Sequence, residues 1–241
     1  MRMTPFPAMN PRQHNSKSRS QNPITLLKGC LQAIRGTAAF LTILFDESGN
    51  LQPIDELSLS LLDSPAFQLA VEEMKTDPDV AAIIAEGYLA PPPDLDMLLQ
   101  LPENSLGYTY AHSLRQTGFA PILAEIPITS DVHYVENRWQ QTHDIWHVIT
   151  GFDVSDIGEI GLQAFYLAQF RLPLSSLLIA NALIGATVLQ PESLSPLLTA
   201  IAHGWQLGQT AKPFIAQKWE EAWERPVATW REALQVSPLI E

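Results

Sequence analysis

An all-α fold, built as a single multi-helical domain, is what this sequence predicts, and three observations predict it. Apolar residues recur at helical spacing in one segment after another. Proline-rich turns separate those segments, and no run shows sustained two-residue alternation bounded by turn signals. With 241 residues, 46% of them hydrophobic and 17% charged, the chain can bury a sizeable core in one unit. The domain is expected over residues 23–241, behind a basic tail of residues 1–22. No internal repeat is found.

The tail, "MRMTPFPAMNPRQHNSKSRSQN", is rich in Pro, Asn, Gln and Ser and lacks the apolar core of a secretory signal. It reads as disordered. Its basic, acid-free composition also allows a mitochondrial transit peptide, although no clear amphipathic period supports one. Pro23 then opens "PITLLKGCLQAIRGTAAFLTILFD", a helix with proline at its first position. "SPAFQLAVEEMKTDPDVAAIIAEGY" reads as two short helices divided at Asp77 and Pro78. "APPPDLDMLLQLPENSLGYTYAHSLRQTG" begins as a stiff connector and ends in a helix closed by Gly118.

Charge and cysteine content exclude several classes. Residues 1–45 hold six of the 14 Lys and Arg and none of the 26 acids, so the body of the protein is strongly acidic. Nucleic acid is discounted as a partner, because phosphate neutralisation needs clustered basic side chains. The single cysteine, Cys30, rules out an internal disulfide framework and any cysteine-based metal site, and fits a reducing compartment.

Residues 172–191, "LPLSSLLIANALIGATVLQP", carry no charge and match a bilayer span in length. Pro173, Ser175, Ser176, Asn181 and Gln190 dilute them, so a helix buried on all sides is expected. Its small residues would let a neighbouring helix or a slender apolar ligand come close, as in the wall of a lipid tunnel.

The chemistry concentrates in "HDIWHVITGFDVSDIGE", residues 143–159. At about 100° per residue, Val135, Trp139, Trp146 and Ile149 share one narrow apolar face, with His143 and His147 together along its border. Asp144 lies about 60° round from His147, so the three polar groups could converge on one ion. Gly151 ends that helix, and a short turn leads into "IGEIGLQAFYLAQF". Helices joined so briefly form an antiparallel pair, which brings Glu159 back beside the histidines. Two imidazoles with carboxylates suit zinc, and two histidines with one carboxylate also suit non-haem Fe(II).

Other readings of the same residues remain open. Asp156 and Glu159 have capping-box spacing with aspartate as the cap, in which case Glu159 only closes its own helix. A zinc hydrolase would carry glutamate after the first histidine, and the shorter Asp144 reaches less far.

His143, Asp144, His147 and Glu159 reproduce "HDxxHx11E", and with it the chain resembles the coenzyme Q biosynthesis protein 4 family. "LPENSLGYTYAHSL", "YVENRWQQTHDIWHVITGFD", "GEIGLQAF" and "KWEEAWERPVATWREAL" are similar to that family in the same order, over residues 23–235. The resemblance implies an all-helical protein of ubiquinone-type or plastoquinone-type quinone biosynthesis. It implies a divalent metal held by His143, Asp144, His147 and Glu159, with zinc first and Fe(II) or Mg as alternatives. It also implies a bound polyprenyl lipid or prenylated precursor, peripheral membrane attachment, other quinone-biosynthesis enzymes as partners, and a homodimer. The family's assigned chemistry is removal of the ring C1 carboxylate of a polyprenyl hydroxybenzoate, with hydroxylation there. Asp144 is the residue expected to be catalytic. The implied location is peripheral on the inner or a thylakoid-type membrane of a bacterium, or on the matrix face of the mitochondrial inner membrane of a eukaryote. Asn104 and Ser105 depart from the family's usual segment there, so the quinone is not fixed.

A metal-dependent enzyme, a lipid-binding scaffold that presents the prenylated ring to partner enzymes, and a zinc hydrolase are the three function classes left. The first two both need a polar metal cluster beside apolar surface. Trp219, Trp223 and Trp230, at helical spacing, read as core or dimer contacts. His112, His133 and His203 read as isolated surface or core residues. Arg138 reads first as a surface salt bridge and second as a carboxylate or phosphate clamp.

Overall fold

The helix boundaries follow the punctuation of the sequence. The computed structural model describes residues 52–123 and 126–238, so the tail, the helix expected after Pro23 and Cys30 lie outside the described residues. Ten α-helices occur among the described residues: α1 (Gln52–Leu61), α2 (Pro65–Met74), α3 (Pro78–Glu86), the one-turn α4 (Leu95–Leu98), α5 (Leu106–Thr117), α6 (Asp131–Thr150), α7 (Asp156–Phe170), α8 (Pro173–Val188), α9 (Leu194–Thr210) and α10 (Val227–Leu234). Two 3-10 turns, Pro191–Ser193 and Trp219–Glu221, interrupt the later part. No strand is present among these residues; one isolated bridge pairs Ser105 with Pro226. The all-α single domain is therefore observed.

Asp77 shows how the breaks arise. Its carboxylate accepts the backbone N–H groups of Asp79 and Val80 while Pro78 supplies a preset first helical residue, so α2 and α3 separate there. Gly118 and Gly151 end α5 and α6 in the left-handed region, at φ 76° and 84°, where a side chain would be strained.

α6 is the axis of the domain, with α2, α3, α5, α7 and α10 packed on it. Val135, Trp139, Trp146 and Ile149 are buried as expected. Polar residues on the flanks and back of that face are buried too: Glu136, Asn137 and Arg138 are all sealed from solvent. Each has found partners. Glu136 accepts from Ser58, from the Trp139 indole at 2.9 Å and from Gln140 at 2.8 Å. Burial pushes its pKa up, against the pull of those three donors. Asn137 brackets the backbone of Ile126 with its amide, donating to the carbonyl at 2.6 Å and accepting from the N–H at 3.1 Å.

Arg138 differs from its expected surface role. Its guanidinium is fully buried and forks onto Glu220 at 2.6 and 3.0 Å, with a further bond to the Gln217 carbonyl at 2.6 Å. It is an internal tie between α6 and the C-terminal segment, with no free face for a ligand's phosphate or carboxylate. The tryptophans read as core, but not along one helix. Trp219 in its 3-10 turn packs at a tilt against Trp230 of α10, ring centroids 4.8 Å apart, and half-buried Trp223 lies between them in sequence, 5.2 Å from Tyr110.

The seam between α7 and α9 is made of glycine. A Cβ on Gly204 would stand 2.0 Å from the Gly161 carbonyl oxygen, and one on Gly208 would stand 2.7 Å from that of Phe165. Helix backbones this close tolerate no side chain at the crossing.

The charge-free segment departs from the expected helix buried on all sides. Leu174 and Leu178 of α8 are buried, yet Ile184 and Val188 are 44% and 70% exposed, as are Leu189, Leu198 and Trp205 in comparable measure. Only one side of α8 meets the core. No helix among the described residues is long and apolar enough to cross a membrane. The larger hollow is an open groove at Pro191, Leu194, Ser195, Leu198, Thr199 and Ala202. A second, of about 10 Å³, lies beside Tyr110, Gln141, Ile145 and Trp223. Neither is an enclosed tunnel on the histidine side of α6.

Gly204→Ala should therefore destabilise the domain by about 1–3 kcal/mol through overpacking. Chemical denaturation against the wild type checks this, and an unchanged midpoint would mean the seam opens freely.

Candidate metal centre

α6 supplies both imidazoles and α7 the carboxylate. His143 and His147 are one turn apart on the side of α6 that meets α7, and His147 faces Glu159 while His143 faces Tyr166. Later residues of α7 thus meet earlier residues of α6, the antiparallel sense the short connection requires. Glu159 is free for this role because it is not part of the cap. The cap residue is Ser155, whose hydroxyl accepts the N–H of Gly158. Asp156 is already helical, so the capping-box alternative for Asp156 and Glu159 is not formed.

Glycines on both sides of Glu159 bring the turn close. A Cβ on Gly158 would collide with Asp153, and one on Gly161 with the Phe152 ring. The "GEIG" pattern thus packs the loop of residues 151–155 against the first turn of α7.

The ligand atoms already stand where an ion would want them. His147 Nε2 lies 3.1 Å from Glu159 Oε1 and 3.2 Å from His143 Nε2, and His143 Nε2 lies 3.6 Å from Glu159 Oε2. Tetrahedral ligands bound at zinc distances of about 2.05 Å are separated by about 3.3 Å, so the three gaps bracket the requirement. The donor set fits zinc or Fe(II) better than Mg, which prefers an all-oxygen octahedral shell. Three protein ligands leave a position open, and half-exposed Glu159 faces the way in.

Asp144 stands apart from this convergence. The group whose atoms can meet on one ion comprises His143, His147 and Glu159. Burial raises the Asp144 pKa; the two histidines oppose that and Glu159 adds to it. Asp144 is therefore coupled to the three groups through charge. Its charge also adds to the effect of burial in raising the Tyr110 pKa.

Two groups went unnoticed in the sequence. His143 Nδ1 meets the Tyr166 hydroxyl at 2.6 Å, and His147 Nδ1 donates to the Phe152 carbonyl at 2.9 Å. Tyr166 was legible in principle, since it follows Glu159 by two helical turns on the same face. A backbone carbonyl leaves no such trace. The isolated histidines behave as expected: His112 stacks on Tyr108, His133 meets Thr129, and His203 lies 5.4 Å from the Phe152 ring.

Without an ion, the three groups hold one another through protons. Burial favours neutral His147, but the bond to Glu159 and its charge outweigh this, and the His147 pKa is raised. Burial would likewise raise Glu159, but both histidines pull it down to about 2. The His147 contribution to stability is full below the ordinary imidazole value of about 6.5 and is lost as pH rises through its raised value. The Glu159 contribution is full above the ordinary value of about 4.3 and is lost as pH falls toward about 2. Metal-free protein should thus gain most over Glu159→Gln between about pH 4.3 and 6.5, whereas metal affinity should climb as pH rises and His147 gives up its proton. Thermal melts and chelator competition across pH check both trends. A metal affinity that stayed flat through this range would contradict the competition between proton and ion.

The chain can now be compared with known proteins. A sequence profile described as "Coenzyme Q (ubiquinone) biosynthesis protein Coq4" matches residues 60–239. The mitochondrial ubiquinone biosynthesis protein COQ4 of Eremothecium gossypii is 36% identical over 150 residues, covering 60% of this chain and 46% of that protein. The mitochondrial COQ4 homologue of Rattus norvegicus is 32% identical over 173 residues, covering 69% and 64%. The chain thus spans about half to two thirds of the length of these relatives. A crystal structure of a Nostoc punctiforme protein assigned to ubiquinone biosynthesis superposes with a TM-score of 0.76 at 36% identity, covering 84% of this chain and 97% of that one. The helical domain, the centre built by α6 and α7, and the extent of the match place this chain in the coenzyme Q biosynthesis protein Coq4 family.

Proposed function

We propose that this chain works in the biosynthesis of a polyprenylated benzoquinone, as a metal-dependent protein acting on the C1 carboxylate of a polyprenyl hydroxybenzoate. One observation carries the reading: His143, His147 and Glu159 converge at separations of 3.1–3.6 Å in a chain of this family, with a position left open. Zinc is the favoured ion and Fe(II) the second choice. When bound, either would supply a Lewis acid to a carboxylate or phenolate.

Asp144 is the residue proposed to handle the proton. When the bond from C1 to the carboxylate breaks, CO2 leaves and the electron pair stays on the ring carbon, which must then take a proton. A carboxyl whose pKa is raised by burial, beside the centre, is suited to give it. Solvent on the half-exposed Glu159 side would restore it. Replacing the carboxylate by a hydroxyl would also consume O2, with its second oxygen atom leaving as water on two electrons and two protons from an external two-electron reductant; zinc has no redox chemistry to support that, so this variant calls for Fe(II).

The prenyl chain is proposed to lie against α8 and α9. Between Arg171 and Lys212 the sequence has a single formal charge, Glu192, and the groove on α9 has Leu194, Leu198 and Ala202 in its wall. A peripheral position on the membrane where the quinone is made accords with these exposed apolar side chains. In a eukaryote that would be the mitochondrial inner membrane, a setting that accords with the relatives' being named as mitochondrial. Exposed Val188, Leu189, Leu198 and Trp205 favour a second reading, a scaffold that gathers other biosynthetic enzymes or a second copy of itself.

The test uses purified full-length protein and a 4-hydroxy-5-polyprenylbenzoate, after elemental analysis of its metal. The wild type should hold about one zinc or iron, the double variant His143→Ala, His147→Ala none, and Asp144→Asn should keep metal but lose at least about 100-fold in turnover. Equal metal in wild type and double variant would end the metal proposal. Metal without product under zinc or iron, with partner enzymes still captured, would leave the scaffold.

A further inference from the structure

We infer that Tyr166 is a positioning residue for the metal centre: its hydroxyl holds His143 in the ring orientation and tautomer that turn Nε2 toward the ion. The inference rests on the metal proposal above and deepens it. It starts from an asymmetry between the two imidazoles. His147 Nδ1 faces a backbone carbonyl, that of Phe152 at 2.9 Å. A carbonyl only accepts, so this nitrogen carries a hydrogen and Nε2 is left as the ligand atom. His143 has no such fixed partner. Its Nδ1 faces a phenol at 2.6 Å, which can donate or accept.

Coordination removes the ambiguity. Only the Nε2 atoms of both rings converge with Glu159, at 3.2 Å from each other and 3.1 and 3.6 Å from its oxygens. To offer a lone pair there, His143 must carry its hydrogen on Nδ1 and give it to the Tyr166 oxygen. The phenol is well placed to accept. It is fully buried, and its ring is wedged between Trp139, Trp146, Phe165 and Phe170 at centroid distances of 5.1 to 6.4 Å, so it cannot swing aside. Two dissimilar supports thus aim two similar ligands, one from the loop after Gly151 and one from α7 itself. Partners behind a ligating histidine commonly matter about 10–100-fold in metal affinity.

Tyr166→Phe keeps the ring and removes only the oxygen. Zinc affinity, measured by chelator competition, should fall about 10–100-fold while the metal-free melting temperature stays close to wild type. A control elsewhere in the core, Leu98→Ala on α4, removes a buried side chain that packs at Gly107 rather than on the rings around Tyr166; it should lower the melting temperature and leave zinc affinity unchanged. In nitrogen-15 spectra of the zinc-loaded protein, His143 should show a slowly exchanging Nδ1 proton that Tyr166→Phe loses. The corresponding His147 proton, held by the Phe152 carbonyl, should persist in both and serves as the internal reference. Zinc affinity in Tyr166→Phe equal to wild type, or a His143 proton found on Nε2 in the loaded protein, overturns the inference. A wild type that binds no zinc fails at the metal proposal itself and takes this inference with it, a result distinct from either of those.

Discussion

Nearly everything in this domain depends on burying α6 from end to end. A helix in that position cannot carry polar side chains unless each finds a partner, because an unpaired buried polar group costs on the order of 1–3 kcal/mol. Glu136, Asn137, Arg138, Thr142 and His147 are all buried on it. Thr142 bonds back to its own helix, and the others reach outside it: to Ser58 on α1, Ile126 before α6, Glu220 and Gln217 near the C-terminus, and Phe152 in the following loop. The polar side chains of one helix thus specify where the other elements must lie. The end of that helix is finished in the same way, with Arg231 of α10 donating to the last-turn carbonyls of Val148 and Ile149, each at 2.9 Å.

At the centre this internal satisfaction takes a different form. At Arg138 both terminal nitrogens of the guanidinium are bonded within the protein, to Glu220, Gln141 and the Gln217 carbonyl, and the buried Nε is left without a partner. At His143, His147 and Glu159 the back of each ring is held, but the Nε2 atoms and the carboxylate face one another across a gap and need a cation between them. A shared proton serves, and its effect is visible in the opposed shifts of His147 and Glu159. A divalent ion would satisfy the same three groups with more charge and without directional hydrogen bonds. Asp144 lies beside this group without joining it, and burial makes it less willing to give up its proton.

How much of this the sequence disclosed depends on whether the signal was local. The division at Asp77 and Pro78, the stops at Gly118 and Gly151, and the antiparallel return of Glu159 all rest on residues close in sequence, and they appear where periodicity and turn chemistry put them. Arg138 was misread because its partner lies 82 residues away, and nothing near it in sequence announces a buried mate. The α8 segment was misread for the opposite reason. Absence of charge was taken as burial, but apolar surface can remain exposed wherever no neighbour is supplied, as at Val188. The cap at Ser155 was a near miss, since Asp156 offers the same chemistry one residue later.

The fixed interval between the second histidine and the glutamate has a physical origin in the same local geometry. After His147, three residues complete α6, Gly151 reverses the chain at φ 84°, residues 152–155 cross to α7, and Glu159 is the fourth residue of that helix. The crossing does more than connect. Its Phe152 carbonyl fixes His147 from behind, and its Phe152 ring fills the space that Gly161 leaves open on α7. One residue more or fewer ahead of α7 would turn the glutamate by about 100° on its helix and pull the Phe152 carbonyl out of register with the imidazole. The eleven-residue spacer is therefore part of the arrangement, because it aims the carboxylate and holds one of the histidines that the carboxylate meets.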